Sequence, residues 1–545
     1  MKMKKLRNNK FMFESVGKIG LLFMSILLFG CNKFTDLQPQ NVTAENNFYS
    51  NTTELNDALT GVYGVLASTN VYGDAMWDIY SAPTDESYYT NTNATGPQLM
   101  NFTSSDANIA NTWTQLYNGI NRANLLLENI NKPIMDSTAR SVIKGQALFL
   151  RAYYYFLLVS NWGDVPMRLH STSSPDSISF PRTDAKIVYN QIVNDMTLAD
   201  SLVQTATYYG FGGRVSKTTV EGILARVCLY RAGFPFTDDH STWFTQSLFW
   251  SNKVINSGIH SLNPSYSQIF INHCQGIYDI KESMWEVEFY GTGNGNPYPQ
   301  TGAVGVLNGI NCSDLTLGVC FARISTQAKL FNSFVDNTSL TSRDTRRDWA
   351  IAPYSLKTTN GVTTRVPWNI NSIYNRNDAK WRREYEAGNN KQKNYSIINF
   401  PLLRFADVLL MKAEAENEVN NGPTPAAYAS INQVRRRAYG FPLNIANAVS
   451  DIPAGLDYVS FQQKVYDERF RELCFEALRR NDLIRWGNYI PTMKSLANLI
   501  STTATAGFQS AALAANNIQQ KNVLFPIPIN EMSLNPAIGQ QNVGW

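Results

Sequence analysis

The stretch LLRFADVLLMKAEAENEVNNGPTPAAYASINQVRRRA (402–438) decides the fold class. Apolar residues recur at helical spacing on both sides of Asn421-Gly422-Pro423, and a proline there cannot continue a helix. The segment therefore reads as helix, Gly-Pro turn, second helix, a unit of about tetratricopeptide length. Strong helical patterns are expected at 401–419, 424–438 and 458–486. Within the last of these, DERFRELCFEALRRNDLIRWG (467–487) is dense in Arg and Glu. Asp467–Arg471 and Glu476–Arg480 stand at i,i+4, the spacing at which opposite charges meet on a helix.

Toward the N-terminus the same periodicity continues. Leu55, Leu59, Val62 and Leu66 mark one helical face, and Trp113, Leu116, Ile120, Ala123 and Leu127 mark another. The second helix stops before Asn131-Lys132-Pro133. A third helix, about 137–160, carries RAYYYFLLVSNWGDVP (151–166) in its second half and beyond, and further helices are expected near 184–205, 217–232 and 241–257. The pattern changes near 283. In KESMWEVEF (281–289) apolar and acidic residues alternate with period two, a strand signature, and a Gly/Asn/Pro loop, YGTGNGNPYPQTG (290–302), follows. Little periodicity is sustained from there to about 395. The tail segment Leu524-Phe525-Pro526-Ile527-Pro528-Ile529 holds too much proline for an interior strand or helix. The chain reads as mostly α, built of consecutive helix pairs, with a long irregular, loop-rich insertion and a few short strands.

The first thirty residues have a different character. A basic start (Lys2, Lys4, Lys5, Arg7, Lys10, Lys18) leads into an apolar run, Ile19 to Phe29, too short to span a bilayer. It ends in Leu28-Phe29-Gly30-Cys31, the form of an export signal with a cysteine at the cut. Without residues 1–30 the chain holds 41 Lys+Arg against 42 Asp+Glu, so its positive balance belongs to the signal. No basic field remains to favour nucleic acid. Five cysteines are left once Cys31 is set aside, so they cannot all pair internally. Cys228 and Cys474 read as buried thiols, and Cys312 and Cys320 are left open between a loop bridge and free thiols. The organisation expected is a signal at 1–30, a tether at 31–50, an N-terminal helical region at 51–282, the irregular region at 283–400, and a C-terminal helical region with an extended tail at 401–545.

Taken in series, Cys31, residues 151–166, 281–289, 402–438 and 467–487, and the tail LFPIPINEMSLNPAIGQQNVGW (524–545) resemble the SusD/RagB-like family of nutrient-binding outer-membrane lipoproteins of Bacteroidetes. The resemblance implies a SusD-like fold of tetratricopeptide-like helix pairs and a lipid anchor on Cys31. It implies a glycan or other nutrient as ligand, and a TonB-dependent, SusC-like transporter barrel as partner on the outer membrane. It implies no catalysis, and its matched motifs do not locate the ligand.

Ring faces pack on sugar C–H groups while amides and carboxylates meet the hydroxyls. On that ground the aromatic loops supply the candidates. VYGDAMWDIYSAPTDESYYTNTN (71–93) offers Trp77, Tyr80, Asp85 and Tyr88, and the loop after the strand offers Asn294 and Tyr298. Trp77 and Tyr80 are equally well spaced to line a helix. Trp285 reads as core. Glu286 and Glu288 read as an exposed strand face more than as a glycosidase pair. No HExxH, GxSxG, P-loop or GxGxxG motif occurs, so neither a cofactor nor a metal is expected. A lipid-anchored glycoside hydrolase and a tetratricopeptide-type protein-binding scaffold are the alternatives.

Overall fold

A computed structural model describes residues 48–172, 179–236, 238–290, 301–334, 342–388 and 391–545. Cys31, Asn294 and Tyr298 lie outside the described residues. Twelve α-helices of seven or more residues occur among them: α1 (Thr52–Tyr63), α2 (Ala107–Asn129), α3 (Ser137–Trp162), α4 (Ala185–Leu202), α5 (Lys217–Ala232), α6 (His240–Asn256), α7 (Tyr266–Gln275), α8 (Phe405–Val419), α9 (Pro425–Ala438), α10 (Tyr458–Glu472), α11 (Arg479–Arg485) and α12 (Tyr489–Thr503). Each helix from α1 to α6 packs on the next, α6 packs on α8, and α8 packs on α9 and α10. Helix starts are set by side-chain caps. Asp106, Asp136, Asp184, Ser216, Thr424 and Asp457 each accept a hydrogen bond from a first-turn backbone N–H.

Helix α3 is the centre of the N-terminal half, and from Gly145 to Val159 every residue is buried. A helix apolar all round belongs in a core, and its polar atoms must then find partners there. Tyr153 shares a hydrogen bond with Tyr72, Tyr154 donates to the Val62 carbonyl and Tyr155 to that of Arg168. Arg151 makes a two-pronged pair with Asp195 of α4. The proline-rich tail crosses the end of α3 without forming a strand. Trp162 Nε1 donates to the Pro526 carbonyl, Asn542 bridges the Trp162 and Phe525 carbonyls, and Phe525 and Ile527 are fully buried.

Strands are short and paired in twos: β1 (Ser87–Tyr89) with β5 (Ile324–Thr326), β2 (Val165–Pro166) with β3 (Arg182–Thr183), β4 (Ser283–Val287) with β8 (Phe400–Arg404), and β6 (Tyr354–Thr359) with β7 (Val362–Pro367), all antiparallel. Two sequence expectations are corrected here. The helix expected from 401 begins at Phe405, because residues 400–404 are drawn into the ladder with β4. Strand β4 is buried on both faces, so the acidic residues do not form an exposed edge. Glu286 is buried against His273 and Ser283. Cys312 and Cys320 exchange backbone hydrogen bonds at 3.1 and 2.9 Å, and both are free thiols.

The helix expected over 458–486 is also broken. Residues 473–478 turn, with Phe475 at φ 64° and Ala477 at φ 61°, in the left-handed region that few side chains adopt. The turn separates Glu476 from Arg480, and within α10 Arg471 pairs with Glu468 (2.8 Å) in place of Asp467. The Arg/Glu stretch instead makes a fully buried network. Glu472 accepts from Arg346 (3.0 Å), Arg404 (3.0 Å) and Arg437 (2.6 Å). Arg404 also reaches Glu282 (2.9 Å) and Glu476 (2.7 Å), and Arg346 reaches Glu468 (2.7 Å) and Asp344 (2.6 Å). A second cluster joins α5, α8, α10 and α11. Asp407 accepts from Arg226 and Arg469, Arg469 pairs with Asp482, and Arg485 bridges Asp482 and Glu414. Residues 51–545 form one compact unit.

Burial alone would raise these carboxyls, but the adjoining guanidinium charges reverse it and hold Glu472 and Asp407 at about 2. Two outcomes follow. Glu472→Ala removes the carboxylate that three buried guanidiniums share, leaving Arg437 with only Glu282 at 3.6 Å, and is expected to cost about 3–5 kcal/mol in urea denaturation; a cost below about 1 kcal/mol would contradict the network's role. Because the folded values lie below the unfolded ones, this stabilisation is complete above about pH 4 and is lost as pH falls toward 2. Stability measured across that window is expected to fall steeply, and a flat profile would contradict it.

Candidate functional site

The two loop segments singled out in the sequence, 71–93 and the residues after β4, meet in the structure. The chain after α1 turns sharply at Gly73, where any Cβ would stand 2.7 Å from the Ala67 carbonyl oxygen and 2.8 Å from that of Ser68. Only glycine fits there. Its own carbonyl accepts from Ala303 N (2.9 Å). One helical turn follows, Ala75–Asp78, and it places Asp74 and Asp78 four residues apart. Strand β1 then pairs with β5 and Thr90 N donates to the Arg323 carbonyl, bringing Phe321, Ala322 and Arg323 alongside. Ala322 is held at φ 46°, a strained conformation for alanine.

Asp74, Asp78, Arg323 and Tyr89 form the polar centre of this face. Asp78 is fully buried, and Arg323 Nη1 approaches its Oδ2 at 3.4 Å with 43% of the arginine side chain exposed. The two carboxyls are hydrogen-bonded to each other. Burial raises both, Asp74 to about 6 and Asp78 well above the carboxylate range, the latter pushed further by the Asp74 charge. Each keeps one buried oxygen, Oδ1, with no hydrogen-bond partner among the described residues. Phe321, two residues from Arg323 and 45% exposed, supplies apolar surface. A half-exposed guanidinium beside an open ring can hold a polyhydroxylated molecule. Two carboxyls in direct contact are too close to flank a glycosidic bond, which needs about 5 Å or more between them.

The residues named from the sequence are placed differently. Trp77, Tyr80, Asp85 and Tyr88 are buried, and their polar atoms are committed to the chain itself. Trp77 Nε1 donates to the Tyr72 carbonyl and Tyr80 OH to that of Asn108, while Tyr88 OH donates to the Tyr374 carbonyl. Asp85 is gripped by both prongs of Arg479 (2.8 Å) and by Lys329 (2.7 Å), and those charges outweigh burial to hold it at about 2. These four are core positions beneath the face. Asn294 and Tyr298 fall in the loop outside the described residues. Asp74 and Arg323 were missed. The i,i+4 spacing of Asp74 and Asp78 was legible, but Arg323 lies some 245 residues from Asp78 and only strand pairing joins them.

A larger cleft of about 780 Å3 lies between α3, α4, the 234–236 turn and the tail. Its walls are mainly apolar, and its charged groups are engaged. Arg182 donates to the Asp164 carbonyl, Lys186 pairs with Asp238 and Arg485 with Glu414. It offers few free polar groups to orient a ligand.

Comparison with known proteins places the chain. The SusD family profile matches residues 275–545, and a profile described as starch-binding, associating with outer membrane, matches residues 33–229. SusD-like protein P25 of Formosa agariphila is 26% identical over 95% of this chain and 96% of its own length. The crystal structure of a SusD homolog from Bacteroides thetaiotaomicron superposes with a TM-score of 0.84 at 29% identity, covering 92% of this chain and 98% of that one. A laminarin-binding SusD-like protein shares the fold, with a TM-score of 0.69 at 21% identity over 91% of this chain and all of the other. With matching profiles at both ends and relatives aligned along nearly its whole length, the chain belongs to the SusD family.

Proposed function

We propose that the protein captures a glycan at the face formed by Asp74, Asp78, Arg323 and Phe321 and passes it to a partner TonB-dependent, SusC-like transporter. The observation that carries this reading is the convergence of the 71–93 and 301–323 segments on a half-exposed arginine held by the buried Asp78 carboxyl beside the open Phe321 ring. The family's starch-binding description supports a carbohydrate ligand. Sugar hydroxyls accept from the half-exposed Arg323, which the buried Asp78 carboxyl steadies from below, while Phe321 meets a C–H face. The activity is binding without covalent chemistry.

The place of action follows from the N-terminus. Acyl chains on Cys31 anchor the protein to the outer membrane, facing outward, since stable anchoring needs more than one chain. No helix among the described residues is long and apolar enough to cross a membrane. The lipid then holds the glycan-binding face over the barrel.

Calorimetric titration with starch, laminarin and xyloglucan oligosaccharides tests the site. At least one is expected to bind, and Arg323→Ala is expected to weaken it about tenfold or more, the loss of a charge-assisted bond. Full affinity in that variant would overturn the site. The carboxyl pair carries its own pH signature. The folded Asp74 value of about 6 lies above its ordinary 3.8. The native state therefore holds the proton longer, and the associated stability is present below about pH 4 and lost as pH rises through 6. Asp74→Asn is expected to gain stability relative to the wild type across that interval; parallel curves would refute the assignment. For the partner, pull-down of the lipidated protein from solubilised outer membranes is expected to recover a barrel transporter, and recovery of none would refute the delivery role.

A further inference from the structure

A second polar pocket opens on the other edge of the segment that carries the site. It holds about 180 Å3 and is walled by Thr60, Tyr63 and Ala67 of α1 and the turn after it, by Gly213 and Arg214, and by Glu286 and Glu288. The loop Gly210-Phe211-Gly212-Gly213 lies directly on this acidic segment, its Gly212 carbonyl accepting from Glu286 N. The approach is so close that a Cβ at Gly213 would stand 2.3 Å from the Glu288 carboxyl. The chain thus spends a glycine on bringing a carboxyl group into a pocket wall. Glu286 is committed to His273 and Ser283, and Glu288 shares a hydrogen bond with the Tyr278 hydroxyl that leaves one of its carboxyl oxygens over. Its Oε1 is buried with no hydrogen-bond partner among the described residues, and so is the Tyr209 hydroxyl. An unfilled buried acceptor is destabilising, and no group among the described residues relieves it.

An aromatic run lies beside the pocket, reaching Glu288 through the Tyr278 hydroxyl. Tyr208, Tyr209, Phe211 and Tyr278 form a continuous run, with ring centroids 5.3, 6.2 and 5.4 Å apart in that order. Tyr208 is 68% exposed and Tyr278 48%. Arg214 stands 5.0 Å over the Tyr63 ring and faces the Glu288 charge, so the pocket is not an unbalanced acidic cluster suited to a metal ion. A ligand that fits presents flat apolar faces to a row of rings and hydroxyls to one carboxyl and one guanidinium.

We infer that this aromatic run and the Glu288–Arg214 pocket form a second saccharide-binding station, separate from the Arg323 face. The inference rests on the glycan-binding reading above. The two stations are joined through the chain. Ala67 walls the pocket and also backs Gly73, while Phe289, next to Glu288, packs on Gly302 beside the Ala303 bond to Gly73. A glycan of several residues held at both would be retained longer than at either alone.

Hydroxyl-radical footprinting of the full chain with starch, laminarin and xyloglucan oligosaccharides reads the station directly. A bound glycan is expected to protect Tyr208 and Tyr278, and the protection is expected to persist in Arg323→Ala. Tyr278→Ala, at an exposed ring, and Glu288→Gln, which keeps the shape, are each expected to weaken glycan binding about threefold to tenfold. A glycan that binds the wild type without protecting these rings, with both variants at full affinity, would overturn the second station and leave the first standing. Absence of binding by every glycan in the panel would overturn both.

Discussion

Three guanidiniums, from Arg346, Arg404 and Arg437, converge on the fully buried carboxylate of Glu472. Charges taken out of water are tolerable only when paired and fully hydrogen-bonded. That requirement fixes where four distant parts of the chain must lie. Arg404 ends β8 and Glu282 precedes β4, so their pair sets the ladder that aims residues 283–289. Arg437 ends α9, and Arg346 sits in the single helical turn Thr345–Ala350 within the irregular region. The irregular region thus owes its placement to ion pairing more than to its own periodicity.

The consequence reaches the candidate site through the turn at 473–478. Phe475 N donates to Glu86 (3.0 Å), Arg479 grips Asp85, and Tyr489 OH donates to the Pro83 carbonyl (2.9 Å). These bonds hold the 83–89 segment, whose strand then meets β5 and carries Arg323 into register. The left-handed residues Phe475 and Ala477 are strained, and strain of this kind is kept where a surface must be positioned. Asp85 has the character expected of a ligand residue, an acid in an aromatic loop. Its actual work is to anchor that loop from below.

The helical half of the fold was legible because periodicity and caps are local. Helices α3, α5 and α9 lie close to where apolar spacing places them. What failed was non-local. The 401–404 residues are helical in pattern but pair with a strand more than a hundred positions away. The Arg/Glu stretch has ideal i,i+4 spacing, yet its partners come from Lys380, Arg404 and Arg437. The site suffered the same way. Trp77, Tyr80 and Tyr88 look like binding rings because aromatic side chains serve cores and ligands equally well, and only burial separates the two uses. Glu288 was read as an exposed strand residue because nothing local reveals the glycine loop that lies upon it.

The proposed account makes one anchored surface, held by buried charge, present a glycan to a transporter. The most direct test is a crystal structure of the chain soaked with the tightest-binding oligosaccharide of the titration panel. The account predicts sugar hydroxyls within hydrogen-bond distance of Arg323, with a ring face against Phe321. Saccharide bound elsewhere, with the Arg323 face empty at saturating ligand, would contradict it.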